Sequence, residues 1–320
     1  MPSISVSVII VAYKSSPTLH KCLRAVSQQT IEPNNVIVID NYGLDNIDNI
    51  LDQFSSINIK YIKLNTNIGF AAANNLAVQF CNTEFVALLN PDAYPSTDWL
   101  ANLVFTANIN PHAASFGSLQ LIENRIDTLD GIGDVYHFTG LAWREGHDRK
   151  QLHGNLYVKE IFSPCAAAAL YRRNAFNQVG GFDDNYFCYF EDVDLGFRLR
   201  LAGWTSLFVP NAVVKHVGGA SAGGRRTDFS LYYGHRNMVW TFVKNMPGCL
   251  FYFFLIPHII LNIITIIWFI FKGKGRIICK SKFHAFLELP KIFKKRYIIQ
   301  KERKVSTITI LKVMKFAFIR

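Results

Sequence analysis

Short runs of β-branched residues alternate with helical patterns through the first hundred residues, and this alternation constrains the fold more than any other feature of the chain. Continuous runs rich in valine and isoleucine predict buried strands, whereas apolar residues spaced three and four apart predict helices. The predicted strands are 6–12, 36–39, 60–64 and 85–89, and the predicted helices between them are 18–29, 47–54 and 70–80. Such a series favours an α/β fold with a largely parallel sheet.

Polar residues stand directly after three of the predicted strands. Tyr13 follows the first strand, Asp40 follows the second, and Asn90 and Asp92 follow the fourth. In open parallel sheets, ligands bind beyond the carboxyl ends of the strands. The sequence therefore predicts one binding site at this edge of the sheet.

The turn after the first strand argues against two large classes of nucleotide-binding protein. It reads AYKSSPT and lacks the glycine-rich turn of a dinucleotide-binding oxidoreductase. The chain also has no GxxxxGK[ST] sequence, which excludes a P-loop nucleoside triphosphatase. A nucleotide could still bind at the sheet edge through other contacts.

A cluster of acidic residues lies at the predicted start of a later helix. The stretch GGFDDNYFCYFEDVDLGFRLRLAGW places Glu191, Asp192 and Asp194 before an apolar helical face, and Gly203 stands where the helix would stop. Acidic side chains at a helix start interact favourably with the helix dipole, which gives the cluster a purely structural interpretation. Clustered carboxylates that follow a glycine-hinged aromatic loop also suit acid–base chemistry, so both interpretations remain open here.

The net charge of +11 is concentrated at the C-terminal end of the chain. Residues 272–320 contain 15 lysines and arginines against two glutamates, which leaves residues 1–271 with a net charge of −2. This balance argues against a basic nucleic-acid-binding surface on the main domain, and nucleic acid is not an expected partner. The basic segment instead predicts contact with an anionic membrane surface.

An uncharged segment precedes the basic one and is long enough to interact with a membrane. Residues 248–271 contain no Asp, Glu, Lys or Arg, and as a helix they would extend about 36 Å, against a hydrocarbon core of about 30 Å. A buried core helix is the alternative. A single span would separate the basic tail from the main domain, although positive charge prefers the cytoplasm. Because Pro257 and Asn262 interrupt the run, we expect a broken, re-entrant or interfacial helix with both ends in the cytoplasm.

Seven motifs in a fixed order resemble those of the inverting glycosyltransferases of family 2, which have the GT-A fold. In chain order they read SVIIVAYKS, VIVIDN, NTNIGFAAANN, LLNPDA, GGFDDNYFCYFEDVDLGFRLRLAGW, VVKHVGG and YYGHRNMVW. Within the family they are most similar to the bacterial rhamnosyltransferase-like branch. The resemblance implies a GT-A catalytic domain at residues 1–245, with a mixed, mostly parallel sheet flanked by helices. A membrane-associating region would follow at 246–320.

The resemblance places the donor nucleotide-sugar against the first motifs. Asp40 is expected to accept a hydrogen bond from the imide N–H of a uracil or thymine, and Tyr13 to pack near the same base. The other donor contacts that it implies are Asn67, Gly69, Phe70, Asn74 and Asn90. The structural alternatives are a turn-capping role for Asp40 and simple packing of a small-residue helix on the sheet.

The motif LLNPDA resembles the family's metal motif of two aspartates around one residue. Asn90 stands in place of the first aspartate, so Asp92 is the carboxylate that the motif retains. His216, in VVKHV, matches the family position whose histidine can complete the metal site. The resemblance thus implies magnesium or manganese held by Asp92 and His216 and bridging the donor diphosphate. A structural role for His216 is the alternative.

Asp192 is the expected general base. In an inverting transfer the acceptor hydroxyl attacks the anomeric carbon from the face opposite the nucleoside diphosphate. The reaction therefore needs a carboxylate at the acceptor and positive charge at the leaving group. The metal and Arg236 of YYGHRNMVW are expected to supply that charge, although Arg236 also has a structural alternative. Glu191, grouped with Asp192 as a candidate catalytic residue, is expected to orient the acceptor or cap the helix.

These inferences predict a membrane-associated glycosyltransferase on the cytoplasmic face of the bacterial inner membrane. The branch-level resemblance favours transfer of rhamnose from deoxythymidine diphosphate rhamnose to a lipid-linked or cell-envelope saccharide, as in O-antigen or polysaccharide biosynthesis. Two alternatives stay open. One is another donor, such as a uridine diphosphate hexose. The other is a non-catalytic saccharide-binding scaffold protein, which a metal motif with one aspartate would suit.

Overall fold

Strands and helices alternate in the N-terminal half of the computed structural model, which describes residues 5–43, 46–150, 156–218 and 227–317. The elements are β1 (Val6–Ala12), α1 (Ser16–Ser27), β2 (Asn35–Asp40), α2 (Asp48–Leu51) with a 3-10 turn (Asp52–Phe54), β3 (Ile59–Lys63), α3 (Phe70–Val78), β4 (Phe85–Leu89), β5 (Ala93–Pro95), α4 (Trp99–Ile109) and β6 (Ala113–Ile122). Each strand and helix predicted within the first hundred residues is present, with ends that differ by at most two residues.

Short strands and then helices make up the second half. The elements are β7 (Leu129–Gly131), β8 (Asp134–Tyr136), β9 (Ala142–Arg144), β10 (Lys159–Glu160), β11 (Ala168–Arg172), α5 (Arg173–Gln178), a 3-10 turn (Asp184–Tyr186), α6 (Glu191–Leu201), β12 (Thr205–His216), α7 (Asp228–Asn245), α8 (Gly248–Phe271), α9 (Gly275–Leu287), α10 (Leu289–Lys301) and α11 (Thr307–Val313). The helix predicted after the acidic cluster is α6. It ends just before Gly203, whose φ of +95° suits a helix stop.

One large mixed sheet forms the centre of the molecule. Its strand order is β10-β12-β6-β11-β4-β1-β2-β3, with β5 beside β12 and β7 beside β6. β1 to β4 are mutually parallel, while β11 runs antiparallel between β4 and β6. Because β6 is in turn parallel to β12, these two strands point the same way as β1 to β4. The carboxyl ends of β1, β2, β4 and β12 therefore meet at one edge, and the predicted α/β fold is confirmed.

Helices cover both faces of this sheet, and the alternation along β1 shows how. Val6, Val8 and Ile10 point into a core that α1 and α4 complete, whereas Ile9 and Val11 point into a core completed by α3, α5 and α6. Successive side chains of a strand face opposite sides, so a continuous apolar strand must be buried on both. This double covering leaves the ends of the strands as the accessible part of the sheet.

The C-terminal helices pack against the same body. Residues of α8, α10 and α11 share a hydrophobic cluster with β8, α6 and α7. The backbone N–H of Lys304 donates to the carbonyl of Leu201 (2.8 Å), and that of Lys315 donates to the carbonyl of Tyr136 (2.9 Å). The chain beyond α8 thus returns to the sheet domain. The division into domains at 245 and 246 stays a prediction.

The uncharged segment forms one unbroken helix, α8, and the predicted interruption at Pro257 and Asn262 is not present. Pro257 lies within the helix, and the side-chain amide of Asn262 donates to the carbonyl of His258 (2.7 Å) in the preceding turn. Among the described residues α8 is the one helix long and apolar enough to cross a membrane, and 6% of its most apolar window is buried. That exposure is incompatible with the alternative of a buried core helix.

Candidate active site

Asp40 lies at the C-terminal end of β2, where its carboxylate is buried. Its Oδ1 accepts a hydrogen bond from the backbone N–H of Gly43 (2.9 Å), and its Oδ2 accepts one from the hydroxyl of Tyr61 (3.1 Å). The half-buried ring of Tyr13, beyond β1, lies 6.1 Å from the ring of Tyr42 in the turn after Asp40. The two predicted base contacts are thus neighbours. Asp40 makes the turn-capping contact, and its contact with a nucleobase stays a prediction.

The turn at residues 67–69 is fastened to the end of β2 by Asn41. The side-chain amide of Asn41 donates to Oδ1 of Asn67 (3.0 Å), and its Oδ1 accepts the backbone N–H of Ile68 (3.0 Å). Gly69 follows with a φ of +86°, and a Cβ at this position would lie 2.7 Å from the ring of Phe187. The close approach of the loop before α6 therefore requires glycine here.

The remaining predicted donor contacts lie beside this turn. Phe70 begins α3, with its ring 6.1 Å from that of Phe182, and the buried amide of Asn74 donates to the carbonyl of Phe70 (2.9 Å). Asn90 ends β4, where its backbone N–H donates to the carbonyl of Ala167 (2.8 Å). All three residues are at the predicted edge of the sheet, and their contacts with a donor stay predictions.

The two predicted metal ligands come together at the end of β12. The antiparallel pairing of β12 with β5 sets His216 opposite Ala93, next to Asp92. Nε2 of His216 lies 3.3 Å from Oδ1 of Asp92, and both side chains are buried. Burial opposes a charge on the imidazole, but its hydrogen-bonding contacts with Asp130 and Asp92 and their negative charges raise its pKa.

Asp130 and Arg144 belong to this site and were not predicted from the sequence. The buried Asp130 on β7 accepts a hydrogen bond from Nδ1 of His216 (2.8 Å), and Nη1 of Arg144 on β9 donates to the same carboxylate oxygen. Both residues lie on strands of three residues, which are too short to produce a periodic pattern. The only signal in the sequence is the acidic, glycine-rich run LDGIGD.

Arg144 also interacts with the acidic cluster at the start of α6. Its positive charge is shared among Asp130, Asp134 and Asp192. Asp192 is partly exposed, and its carboxylate accepts the backbone N–H groups of Val193 (2.8 Å) and Ala166 (3.2 Å). Burial raises the pKa of Asp192, although these N–H groups and Arg144 oppose the rise. The same guanidinium thus hydrogen-bonds to Asp130 and acts on the predicted base through its charge.

Glu191 and Asp134 are buried carboxyls close to Asp192. Burial, followed by repulsion from Asp192, raises the pKa of both carboxyls well above the ordinary range. Oδ2 of Asp134 accepts a hydrogen bond from the hydroxyl of Ser163 (3.1 Å), whereas Oε2 of Glu191 has no hydrogen-bond partner among the described residues. Of Asp134, Glu191 and Asp192, Asp192 is the partly exposed carboxyl, and its carboxylate accepts two backbone N–H groups.

A protein-family model matches much of the same region. The model described as glycosyl transferase family 2 matches residues 7–180, which is more than half of the chain. The chain belongs to glycosyl transferase family 2. All of the predicted donor contacts except Arg236 lie inside the matched range, together with Asp92, Asp130 and Arg144. The acidic cluster of α6 and His216 lie beyond it.

Curated relatives of this glycosyltransferase include two bacterial rhamnosyltransferases. The N-acetylglucosaminyl-diphospho-decaprenol L-rhamnosyltransferase of Mycobacterium tuberculosis (strain ATCC 25618 / H37Rv) is 28% identical over 269 residues, which cover 74% of this chain and 83% of the relative. The rhamnosyltransferase WbbL of Escherichia coli (strain K12) is 27% identical over 219 residues, which cover 64% of this chain and 80% of the relative.

Solved structures share the fold at low sequence identity. The mannosyltransferase PcManGT from Pyrobaculum calidifontis superposes with a TM-score of 0.57 at 15% identity, covering 97% of this chain and 87% of its own. S. aureus TarS gives a TM-score of 0.53 at 15% identity, covering 76% of this chain and 40% of its own. These likenesses and the family match confirm the predicted GT-A-like fold of this glycosyltransferase.

The aromatic loop before α6 is held in a strained conformation. Phe187, Tyr189 and Phe190 have φ values of +64°, +67° and +68°, which residues other than glycine rarely adopt. From the sequence, Tyr186, Phe187 and Tyr189 could be either sugar-stacking surfaces or core. Tyr186 is fully buried and belongs to the core, whereas Phe187 and Tyr189 are half-buried and remain candidates for stacking.

Arg236 on α7 donates hydrogen bonds to this loop. Its Nη2 donates to the carbonyls of Asn185 (2.7 Å) and Tyr186 (3.1 Å), and its guanidinium lies 4.1 Å from the ring centre of Trp240. These contacts account for the structural alternative noted from the sequence. The role of Arg236 at the leaving group of the glycosyltransferase reaction stays a prediction, and Arg144 is a second guanidinium close to the predicted metal ligands.

Asp194 fixes α6 to α7 from within the core. It accepts hydrogen bonds from Tyr186 (3.1 Å) and Asn245 (2.7 Å) and forms ion pairs with Arg198 and Lys244, both at 2.8 Å. Burial opposes its charge, but Arg198 and Lys244 outweigh that effect and lower the pKa of Asp194. A fully buried carboxylate with this set of partners has a structural role.

Proposed function

We propose that this protein is an inverting glycosyltransferase that moves rhamnose from deoxythymidine diphosphate rhamnose to a lipid-linked or cell-envelope saccharide. The observation that carries the proposal is the connection through Arg144. The guanidinium donates to Asp130, which holds the imidazole of a pair suited to the donor diphosphate, and its charge also favours ionisation of Asp192, a carboxylate suited to the acceptor hydroxyl. An inverting transfer needs these two groups on opposite sides of one sugar.

Asp192 acts as the general base in this proposal. The N–H groups of Val193 and Ala166 hold its carboxylate in one orientation, and its raised pKa strengthens it as a proton acceptor. The acceptor hydroxyl passes its proton to Asp192 as it bonds to the anomeric carbon, while the bond to the nucleoside diphosphate breaks. Glu191, which keeps its proton, donates a hydrogen bond that orients the acceptor.

A divalent metal, magnesium or manganese, fits the pair formed by Asp92 and His216. Nε2 of His216 is buried and faces Oδ1 of Asp92, and a carboxylate oxygen is a ligand that suits both metals. No group of three or more His, Cys, Asp or Glu residues suited to a metal occurs in the described ranges. The diphosphate and water would therefore complete the coordination. When bound, the metal neutralises charge on the leaving group.

The donor and acceptor assignments rest on the relatives. One is named for rhamnosyl transfer to N-acetylglucosaminyl-diphospho-decaprenol, and another is a rhamnosyltransferase. They support rhamnose as the transferred sugar and a lipid-linked saccharide as the acceptor. A base contact at Asp40 and Tyr13 suits the thymine of the donor. The catalytic domain is proposed at 1–245, and the region 246–320 would hold it at the cytoplasmic face of the inner membrane.

A different donor is the second candidate. A relative from Haloferax volcanii, 22% identical over 183 residues, is named a glucosyl-dolichyl phosphate glucuronosyltransferase, so relatives of this chain differ in the sugar they move. A panel of radiolabelled donors with a bacterial lipid extract separates the candidates. Incorporation from deoxythymidine diphosphate rhamnose, and little from uridine diphosphate hexoses, is the expected result. The reverse preference would discard the rhamnose assignment and keep the mechanism.

A further inference from the structure

One side of α8 presents a continuous apolar surface to the outside. Its exposed residues recur every three or four positions, so they form a single stripe along a helix about 36 Å long. Members of the stripe, all at least half exposed, are Phe253, Ile256, Ile260, Ile264, Trp268 and Phe271. A stripe of this size requires a partner, because monomeric soluble proteins rarely expose so much contiguous apolar surface.

The opposite side of α8 contacts α7 through ring pairs near its start, its middle and its end. Phe242 stacks on His258 with ring centres 4.0 Å apart and also lies 5.8 Å from Phe251, while His235 lies 5.3 Å from Phe269. Nδ1 of His258 is also within hydrogen-bond distance of the carbonyl of Thr139 (2.7 Å). α8 therefore lies lengthwise against the catalytic domain and does not project from it.

The chain after α8 returns along the same body. Lys274, in the turn before α9, forms an ion pair with Asp228 at the start of α7 (2.7 Å), and the indole of Trp240 donates to the carbonyl of Ala285 on α9 (3.1 Å). Arg296 on α10 then donates to the carbonyl of Val243 (2.9 Å), close to where α8 begins. Both ends of α8 are thus tied to one domain, which rules out its crossing a bilayer with the domain and the basic tail on opposite sides.

A basic cleft lies at each end of the apolar stripe. The clefts have volumes of about 500 Å³ and 410 Å³. The basic residues that line them are Arg296, Lys301 and Arg303 at the N-terminal end of α8 and Lys274, Arg276 and Lys280 at the C-terminal end. An apolar stripe with cations at both ends matches one leaflet of an anionic membrane, where acyl chains lie beside phosphate groups.

The C-terminal end of α8 adjoins the acceptor side of the active site. Asp228, which pairs with Lys274, is followed by Phe229, whose ring lies 6.1 Å from Phe187 and 6.1 Å from Tyr189. Phe187 and Tyr189 belong to the strained loop that precedes the predicted base. A short series of contacts therefore joins the C-terminal end of α8 to the aromatic loop before α6.

We propose that α8 lies in the plane of an anionic leaflet, with its apolar stripe among the acyl chains and its two basic clefts on lipid phosphates. This orientation sets the loop at Phe187 and Tyr189 beside the membrane surface, so that a membrane-held acceptor reaches Asp192 without leaving the leaflet. The last step depends on the lipid-linked acceptor of the proposed function. The docking itself does not, and its test needs no sugar transfer.

Flotation of the purified full chain with phospholipid vesicles tests the docking surface. We expect binding to vesicles that contain phosphatidylglycerol, weaker binding to phosphatidylcholine alone, and weakening by salt. Ile260→Glu with Ile264→Glu should reduce binding at least about tenfold. The matched control is Phe105→Glu with Ile109→Glu, which changes exposed apolar residues at the same spacing on α4 and should leave binding unchanged.

Charge variants and the oligomeric state distinguish an anionic leaflet from a second copy of the chain as the partner of the stripe. Arg276→Gln with Lys280→Gln should weaken binding to anionic vesicles, whereas Arg24→Gln with Arg149→Gln should not. A failure to float, or equal loss in the α4 control, would overturn the proposal. The proposal would also be overturned if the chain bound no vesicles and instead formed a dimer without lipid. Sedimentation would detect that dimer, and the α8 variants would disrupt it.

Depth measurements distinguish an in-plane helix from a spanning one. A fluorophore is attached to cysteines introduced one at a time at positions 253, 260, 264 and 271, in a chain whose exposed Cys249 and Cys279 and half-buried Cys188 are replaced by serine. Quenching by lipids labelled at shallow and deep positions should report the same shallow depth at all four sites. A depth that is greatest at 260 and 264, with 253 and 271 at opposite surfaces, would refute the in-plane orientation.

Discussion

Nε2 of His216 lies 3.3 Å from Oδ1 of Asp92, and Nδ1 of the same ring is hydrogen-bonded to Asp130 at 2.8 Å. The imidazole is thus held between two buried carboxylates. A histidine that ligates a metal usually donates its second N–H to a carboxylate, which fixes the orientation of the ring. Asp130 has that relationship to His216, while Asp92 faces the other ring nitrogen and would hold the metal together with it.

Asp130→Asn should weaken manganese binding while the fold is kept. An amide cannot accept and orient the Nδ1–H as a carboxylate does, so we expect an affinity lower by roughly 10- to 100-fold. Electron paramagnetic resonance of manganese, with deoxythymidine diphosphate present, measures the affinity without turnover. His216→Ala should show at least the same loss. Asp98→Asn, at an exposed site on α4, is the control, and equal binding by all variants would exclude the metal pair.

Arg144 should set the acidic limb of the pH–rate profile. Asp192 must be ionised to accept a proton, so kcat/KM should rise with pH through a midpoint above the value of about 4 for an ordinary aspartate. Arg144 lowers the pKa of Asp192, and Arg144→Gln should therefore move this limb to higher pH. Arg149→Gln, an exposed arginine nearby in sequence, should leave the profile unchanged. An unshifted limb in Arg144→Gln would contradict the proposed connection.

Ionisation of Glu191 should lower the free energy of unfolding as the pH rises. Its pKa is raised in the folded state, so its contribution is fully present below the unfolded value of about 4.3 and is lost as the pH rises through the folded value. Glu191→Gln, which stays neutral, should be more stable than the wild type at pH 8 by roughly 1 kcal/mol or more, with a smaller difference at pH 5. Thermal or urea unfolding at both pH values measures this, and a pH-independent difference would refute it.

Gly69→Ala should disturb the contact between the turn at residues 67–69 and the aromatic loop before α6. The new Cβ would lie 2.7 Å from Phe187, in addition to the strain of a φ of +86°. We expect a loss of about 1–3 kcal/mol in unfolding free energy and a higher KM for the acceptor. Gly180→Ala is the matched control, because Gly180 has a φ of +78° but no atom within 4 Å of the added Cβ. If the two variants behave alike, the contact with Phe187 has no separate effect.

The sequence predicted the parts of the fold and site that depend on local pattern. Continuous apolar runs revealed β1, β2 and β4, and polar residues after them located Asp40 and Asp92 at one edge of the sheet. Asp130 and Arg144 escaped prediction because they reach the site through strands of three residues, whose position depends on pairing with distant parts of the chain. Local pattern also suggested a break at Pro257, but the packing of α8 along α7 accompanies an unbroken helix.

The central claim is that Asp192 accepts the proton of the acceptor in a metal-assisted rhamnosyl transfer. Mass spectrometry of a bacterial membrane lipid extract, incubated with deoxythymidine diphosphate rhamnose and the full chain, tests it directly. The account predicts addition of one deoxyhexose in the presence of manganese or magnesium, at a rate at least about a hundredfold lower in Asp192→Asn and unchanged in Asp98→Asn. Undiminished transfer by Asp192→Asn would contradict it.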